Sequence, residues 1–239
     1  MRNAIIAIAA AAVASAGCAR DRGDSAGAAT TRNYQVGPFD RIEVAGAYDV
    51  TVTTGSAPAV RASGGERAIE KMVVEVRDGT LRIHPKKRSG ISFGSRSGSV
   101  KLAVTVPSLA AADVAGSGNI SVDKVAGDTF KAGVAGSGNV RLGQVEVKRL
   151  KAEIAGSGEI DAGTGRAAVA DYHIAGSGDI AAAGLVAEIA SVSIAGSGNV
   201  AAQATGSASV EIAGSGDVRM TGGAKCSVHK AGSGNVDCS

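Results

Sequence analysis

From residue 111 onward the chain alternates apolar and polar positions around a recurring four-residue corner, Ala-Gly-Ser-Gly. The corners begin at Ala115, Ala135, Ala155, Ala175, Ala195, Ala213 and Ala231, at intervals of 20 residues four times and then 18 twice. Val114, Val134, Ile154, Ile174, Ile194 and Ile212 stand immediately before the first six corners. Two positions earlier come Ala112, Ala132, Ala152, Tyr172, Val192, Val210 and Val228. Beyond the corner, Ile120, Val140, Ile160, Ile180, Val200, Val218 and Val236 open another apolar row. A further row follows at Val122, Leu142, Ala162, Ala182, Ala202, Met220 and Cys238. Period-2 alternation rich in β-branched residues, on both sides of a glycine corner, predicts strands. The change of interval agrees, because removing an even number of residues leaves every strand side chain on its original face.

A unit of this length cannot bury its inner rows alone, whereas stacked copies can. The pattern predicts an all-β chain whose residues 109–239 form a right-handed parallel β-helix of about seven coils of 18–20 residues. At one strand spacing per coil, the stack would be roughly 34 Å long. Residues 34–108 lack the Ala-Gly-Ser-Gly corner but still alternate, in "FDRIEVAG", "YDVTVTTG", "VVEVRDGTLRIHP" and "VKLAVTVP". They predict an irregular β portion, either the opening of the solenoid or a separate cap. Within it Asp78-Gly79 signals a hairpin turn, Glu66–Met72 a short helix and Lys87–Ser99 a mobile loop.

The N-terminus departs from this pattern. Arg2, the apolar stretch Ala4–Val13 and the small residues before Cys18 predict a signal peptide over residues 1–18. The stretch falls short of the roughly 20 residues a membrane span needs. Ser15-Ala16-Gly17-Cys18 resembles a lipobox with Ser15 in the usual aliphatic place, while Ala14-Ser15-Ala16 suits ordinary cleavage. Cysteine arithmetic favours lipidation at Cys18, since it leaves Cys226 and Cys238 as an even pair in an oxidising compartment. Those two flank the last corner and are expected to form a disulfide; a buried thiol beside a surface thiol is the alternative. Residues 19–33 are small, polar and charged, and predict a flexible linker.

Composition narrows the function classes. A net charge of +3 is too small to indicate a nucleic-acid partner, and the run Lys86-Lys87-Arg88 suits a solvated loop. Aromatic residues make up 3% of the chain, with no Trp, so the stacking platforms common in sugar sites are scarce.

"FDRIEVAGAYDVTV", "VEVRDGTLRI", "VKLAVTVPSL" and the run of "VAGSGNV" units together resemble the GIN-type adhesin head domain family, from Phe39 to the C-terminus. The resemblance implies an exported, often lipid-anchored β-helical protein without established activity. With no acidic retention signal at Ala19-Arg20, it further implies the outer membrane, on the periplasmic or surface face. A periplasmic or secreted protein is the alternative. The partner implied is an envelope glycan or protein, and the chain is expected to be non-enzymatic and without a cofactor.

The ladders of equivalent residues offer little chemistry. The seven corner serines, from Ser117 to Ser233, have no repeating base beside them and suit local hydrogen bonding. In the next polar row, Asn119, Asn139, Glu159, Asp179, Asn199, Asp217 and Asn235, stacking would set Glu159 beside Asp179 roughly 5 Å apart. That spacing approaches the carboxylate pair of a retaining glycosidase and supports an alternative reading as a polysaccharide-modifying enzyme. Otherwise the row is a ladder of turn formers. Calcium suits the corners poorly, because four of the seven places hold Asn and the period is not nine. His84, His173 and His229 are too dispersed to share a metal ion.

Overall fold

The computed structural model describes residues 27–86 and 100–239. The expected signal peptide, Cys18, most of the expected linker and the loop expected at Lys87–Ser99 lie outside the described residues.

The first half of the chain runs β1 (Ala29–Tyr34), β2 (Arg41–Gly46), β3 (Tyr48–Thr54), β4 (Ala59–Gly65), α1 (Glu66–Glu70), β5 (Met72–Arg77), β6 (Thr80–Pro85) and β7 (Val100–Val106). The repeats follow as β8 (Ala111–Gly116), β9 (Asn119–Gly136), β10 (Asn139–Gly156), β11 (Glu159–Asp161), β12 (Thr164–Gly176) and β13 (Asp179–Gly196). The chain closes with β14 (Asn199–Gly214), β15 (Val218–Thr221), β16 (Lys225–Gly232) and β17 (Val236–Cys238). All strands belong to one sheet. Each repeat stacks in parallel on the one before, with Asn139 opposite Asn119 and Gly156 opposite Gly136. The result is a β-solenoid whose seven corners bound six complete turns.

The corner explains the glycines. From Gly116 to Gly232 the first glycine of every corner has φ between +121° and +142°, a region that penalises any Cβ. The second glycine is buried and has no room for a side chain: a Cβ on Gly178 would lie 2.5 Å from the Gly158 carbonyl oxygen and 2.7 Å from Ile154 Cγ2. Between them the serine N–H continues the ladder, as when Ser157 donates to the Gly136 carbonyl at 2.8 Å. The repeat is the way successive backbones turn while in contact. The serine side chains themselves are exposed.

Shortening from 20 to 18 residues takes place between β13 and β14. Ala182 pairs with Ala202, but Ile189 pairs with Ser207, with irregularities between. Register then holds to the corner, where Ile194 faces Ile212, so the inner rows stay inside.

The rows read from the sequence fill one continuous core, and every one of them is buried through Met220. Size varies in compensation along it. Tyr172 is fully buried in a stretch whose neighbouring core positions are Ala162, Ala170, Ala182 and Ala190. Among the described residues its hydroxyl has no hydrogen-bond partner, and burial, then the charge of Asp171, pushes its pKa up. It is therefore a core filler.

The N-terminal part both continues the solenoid and caps it. Strands β2 and β3 make a coil in the repeat's register: Gly46 pairs with Gly116, and Asp49 with Asn119. Outside this coil lies another layer that comes later in the chain, with β6 paired to β2 and β7 to β3. The chain thus lays down an inner coil, passes outward, and returns beneath to begin β8. Antiparallel strands finish this end, β5 against β6 and β4 against β7. The hairpin turn at Asp78-Gly79 has φ of 50° and 72°, and the short helix is α1. One boundary needs correcting. Ala29–Asn33, read as the end of a flexible linker, belongs to β1 and pairs with β4 from Ala29 opposite Gly65 to Tyr34 opposite Val60. Polar composition alone does not prevent a strand when an open edge supplies its partners.

Candidate functional site

Two outward surfaces flank the corner. On the far side runs the Asn/Asp row, which is a cross-coil hydrogen-bonded ladder more than a set of local turns. Asn119 Nδ2 donates to Asp49 Oδ1 at 2.7 Å, and Asn139 Nδ2 to Asn119 Oδ1 at 2.8 Å. The Glu159 N–H donates to Asn139 Oδ1 at 3.2 Å. The series resumes with Asn199 on Asp179, Asp217 on Asn199 and Asn235 on Asp217. Asp49 heads the ladder and was not among the residues read from sequence. Its signal is the match of Val44-Ala45-Gly46-Ala47-Tyr48-Asp49-Val50 to Val114–Ile120, obscured by Tyr48 in place of the second glycine.

Glu159 and Asp179 are register partners, as stacking required. Here the ladder is interrupted: the Asp179 N–H bonds to the Gly158 carbonyl at 3.1 Å, as Glu159 does to Gly138, but among the described residues no side-chain hydrogen bond joins Asp179 to Glu159. Glu159 is half-buried and outside the shallow groove of about 530 Å³ that the exposed Asp179 lines with Asn199, Asp217, Asn235 and Arg219. No aromatic side chain lines this groove, since Tyr172 is in the core. Among the described residues no group of three His, Cys, Asp or Glu is placed to hold a metal ion. His84 contacts Glu75 at 3.4 Å, while His173 and His229 lie in one outward row.

The near side of the corner carries a larger groove of about 720 Å³. Its floor is the row of alanines from Ala115 to Ala195, and one wall is the row Glu43, Asp113, Gly133, Glu153, His173 and Ser193. The sheet explains both: the alanines are outward residues next to the corner, and the wall residues stand two positions before them. Lys131 reaches over Gly133, whose missing side chain leaves space for the Asp113 carboxylate. The ammonium lies 3.0 Å from Glu153 and 3.9 Å from Asp113. Asp113 has its pKa raised, first by burial, against the pull of Lys131 and with the carboxylates of Glu43 and Glu153 adding to the rise. Glu153 has its pKa lowered, chiefly by its hydrogen bond with Lys151. Towards the C-terminus the surface continues past Glu211 to His229 and Lys230.

Cys226 and Cys238 are joined by a disulfide, with Cα atoms 6.6 Å apart. Cys238 pairs with Met220 in the inner row yet is exposed, because no further coil covers it. None of the described helices is long and apolar enough to cross a membrane.

Residues 38–224 match the family described as "Putative auto-transporter adhesin, head GIN domain". The chain belongs to that family. No curated protein matches it. Among solved structures, a "putative adhesin" from Bacteroides fragilis is similar in fold, with a TM-score of 0.79 at 24% identity over 89% of this chain and 97% of its own. A "putative adhesin" from Parabacteroides distasonis gives 0.71 at 26% identity, covering 89% of this chain and 98% of its own. A "putative lipid binding protein" from the same species gives 0.70 at 26% identity, over 88% of this chain and 96% of its own.

Proposed function

We propose that this adhesin-family chain is a non-enzymatic protein of the cell envelope, anchored by lipid at Cys18, that contacts an extended envelope glycan or protein. The observation that carries the reading is the near-side groove. Its alanine floor repeats from coil to coil, so an extended partner meets equivalent contacts along the solenoid. On its wall Lys131 lies between the carboxylates of Glu153 and Asp113. Family membership supports an exported or cell-surface location. The outer membrane is the finer part of the proposal, as is the lipid on Cys18, which intact-mass measurement of the exported protein would test.

Pull-down of envelope glycans and proteins with the purified protein tests the contact surface. Ala155→Arg with Ala175→Arg fills the groove floor at two exposed positions and should abolish capture. Undiminished capture would move the contact elsewhere. The carboxylate pair provides the contrary case: glycan cleavage lost in a Glu159→Gln, Asp179→Asn variant would replace this reading with an enzyme.

A further inference from the structure

Unpaired positive charge collects at the N-terminal end of the solenoid. Beyond the coil of β2 and β3, the outer layers there are β7, β4 and β1 on one side and β6 and β5 on the other. Helix α1 crosses from β4 to β5. Arg32 on β1, Arg61 on β4, Arg67 on α1, Lys101 on β7 and Lys86 after β6 are exposed. Lys71 is half-buried, and its carbonyl accepts from the Lys86 N–H at 2.8 Å. Among the described residues none of these side chains lies in an ion pair. The other cations of these layers are matched, Arg77 with Glu75 at 3.1 Å and Arg82 with Glu43 at 3.2 Å. Unmatched carboxylates there are Glu66, Glu70 and Asp78, so a positive surplus remains. At the opposite end, Lys230 donates to the Gly234 carbonyl at 3.0 Å and Arg219 faces Asp237 at 3.9 Å.

Chain connectivity turns this charge towards a membrane. The Ala28 carbonyl accepts from the Glu66 N–H at 2.9 Å, so the residues before it join the structure beside α1. Cys18 stands nine residues before Gly27, a stretch that spans at most about 32 Å when fully extended. An acyl chain on Cys18 therefore keeps the basic cap, and not the last coil, within reach of the bilayer surface. Anionic phospholipid gives that surface a negative potential, which attracts Lys and Arg within about a Debye length. We infer that the N-terminal cap docks through these cations on the head groups of an anionic phospholipid bilayer, standing the solenoid on that end. The inference rests on the anchor proposed at Cys18.

Co-sedimentation of the purified chain carrying Cys18→Ser with vesicles tests the docking without an acyl chain. Its outcome is independent of lipidation, which intact mass decides. Vesicles of equal parts phosphatidylglycerol and phosphatidylcholine should retain the protein at low ionic strength and release it as salt rises. Phosphatidylcholine alone should not retain it. Adding Arg32→Gln with Arg67→Gln should weaken binding about twentyfold, near fivefold for each charge. Lys124→Gln with Arg166→Gln removes the same charge from exposed positions on β9 and β12, and should leave binding unchanged. Circular dichroism checks that every variant keeps its β content. Failure to bind the anionic vesicles, or equal binding to both kinds, would overturn the inference. So would an equal loss in the two pairs of variants, which would assign the effect to net charge and not to the cap.

Discussion

The two ends of the solenoid face the same problem, a terminal coil with no neighbour, and meet it differently. At the N-terminal end, antiparallel strands and α1 bury Val60, Ala62, Ile69, Met72, Leu81 and Ile83. At the C-terminal end, Gly234 is the one buried residue among 225–239. A disulfide and a lysine stand where the other end has a small core. The hydrophobic cap draws its stability from area removed from water. A cross-link draws it mainly from restricting the unfolded chain and can hold a coil that buries little.

The contrast is sharpest in matched truncations. Leu81→Ala, in the fully buried cap, is expected to cost about 2–5 kcal/mol in denaturant unfolding. Val228→Ala at the opposite end should stay within about 0.5 kcal/mol, as exposed positions do. Comparable losses at both ends would remove the distinction between them.

Glycine corners extend the comparison to the middle of the stack. Gly178→Ala forces a Cβ against the preceding coil while the following coil blocks any retreat, at an expected cost of about 1–3 kcal/mol. Gly234→Ala makes the same kind of contact with Gly216. There the last coil can lift, so the cost should be smaller. Thermal unfolding of the two variants side by side measures the difference.

Much of this was legible in the sequence because a strand's period reports its face. The inner rows, the corners and the shortening to 18 residues needed nothing more. Neighbour order is a different matter. Nothing in the pattern of Arg41–Thr54 says that β6 and β7 will lie outside it, because that placement is decided by long-range pairing. The Asp49 match was hidden by Tyr48, and β1 by a composition that suits a linker until β4 offers its edge. For the candidate site, stacking arithmetic brought Glu159 to Asp179 correctly. The alanine-floored groove passed unnoticed, because outward alanines carry no chemical signal of their own.

A smaller effect separates the charged N-terminal stretch of the groove from the rest. Asp113 binds its proton more tightly folded than at its ordinary value of 3.8, so between the two values the folded state holds more protons. Its contribution to stability therefore falls as pH rises through that window. Asp113→Asn should be neutral or slightly stabilising at pH 7, with the advantage disappearing below the ordinary value. Urea unfolding at pH 7 and pH 3.5 checks the sign, and a variant destabilised at pH 7 would show that the ion pair with Lys131 outweighs burial.

Amide hydrogen exchange on the protein with the Cys226–Cys238 bond intact and then reduced by a dithiol tests the central contrast most directly. A 12-residue separation gives about 3 kcal/mol in the chain-entropy model, or roughly a hundredfold in opening. Reduction should accelerate exchange in Lys225–Cys238 by up to that factor and leave Ile42–Val44 and Leu81–Ile83 unchanged. Unchanged protection in the last coil, or equal loosening of the N-terminal cap, would contradict the account.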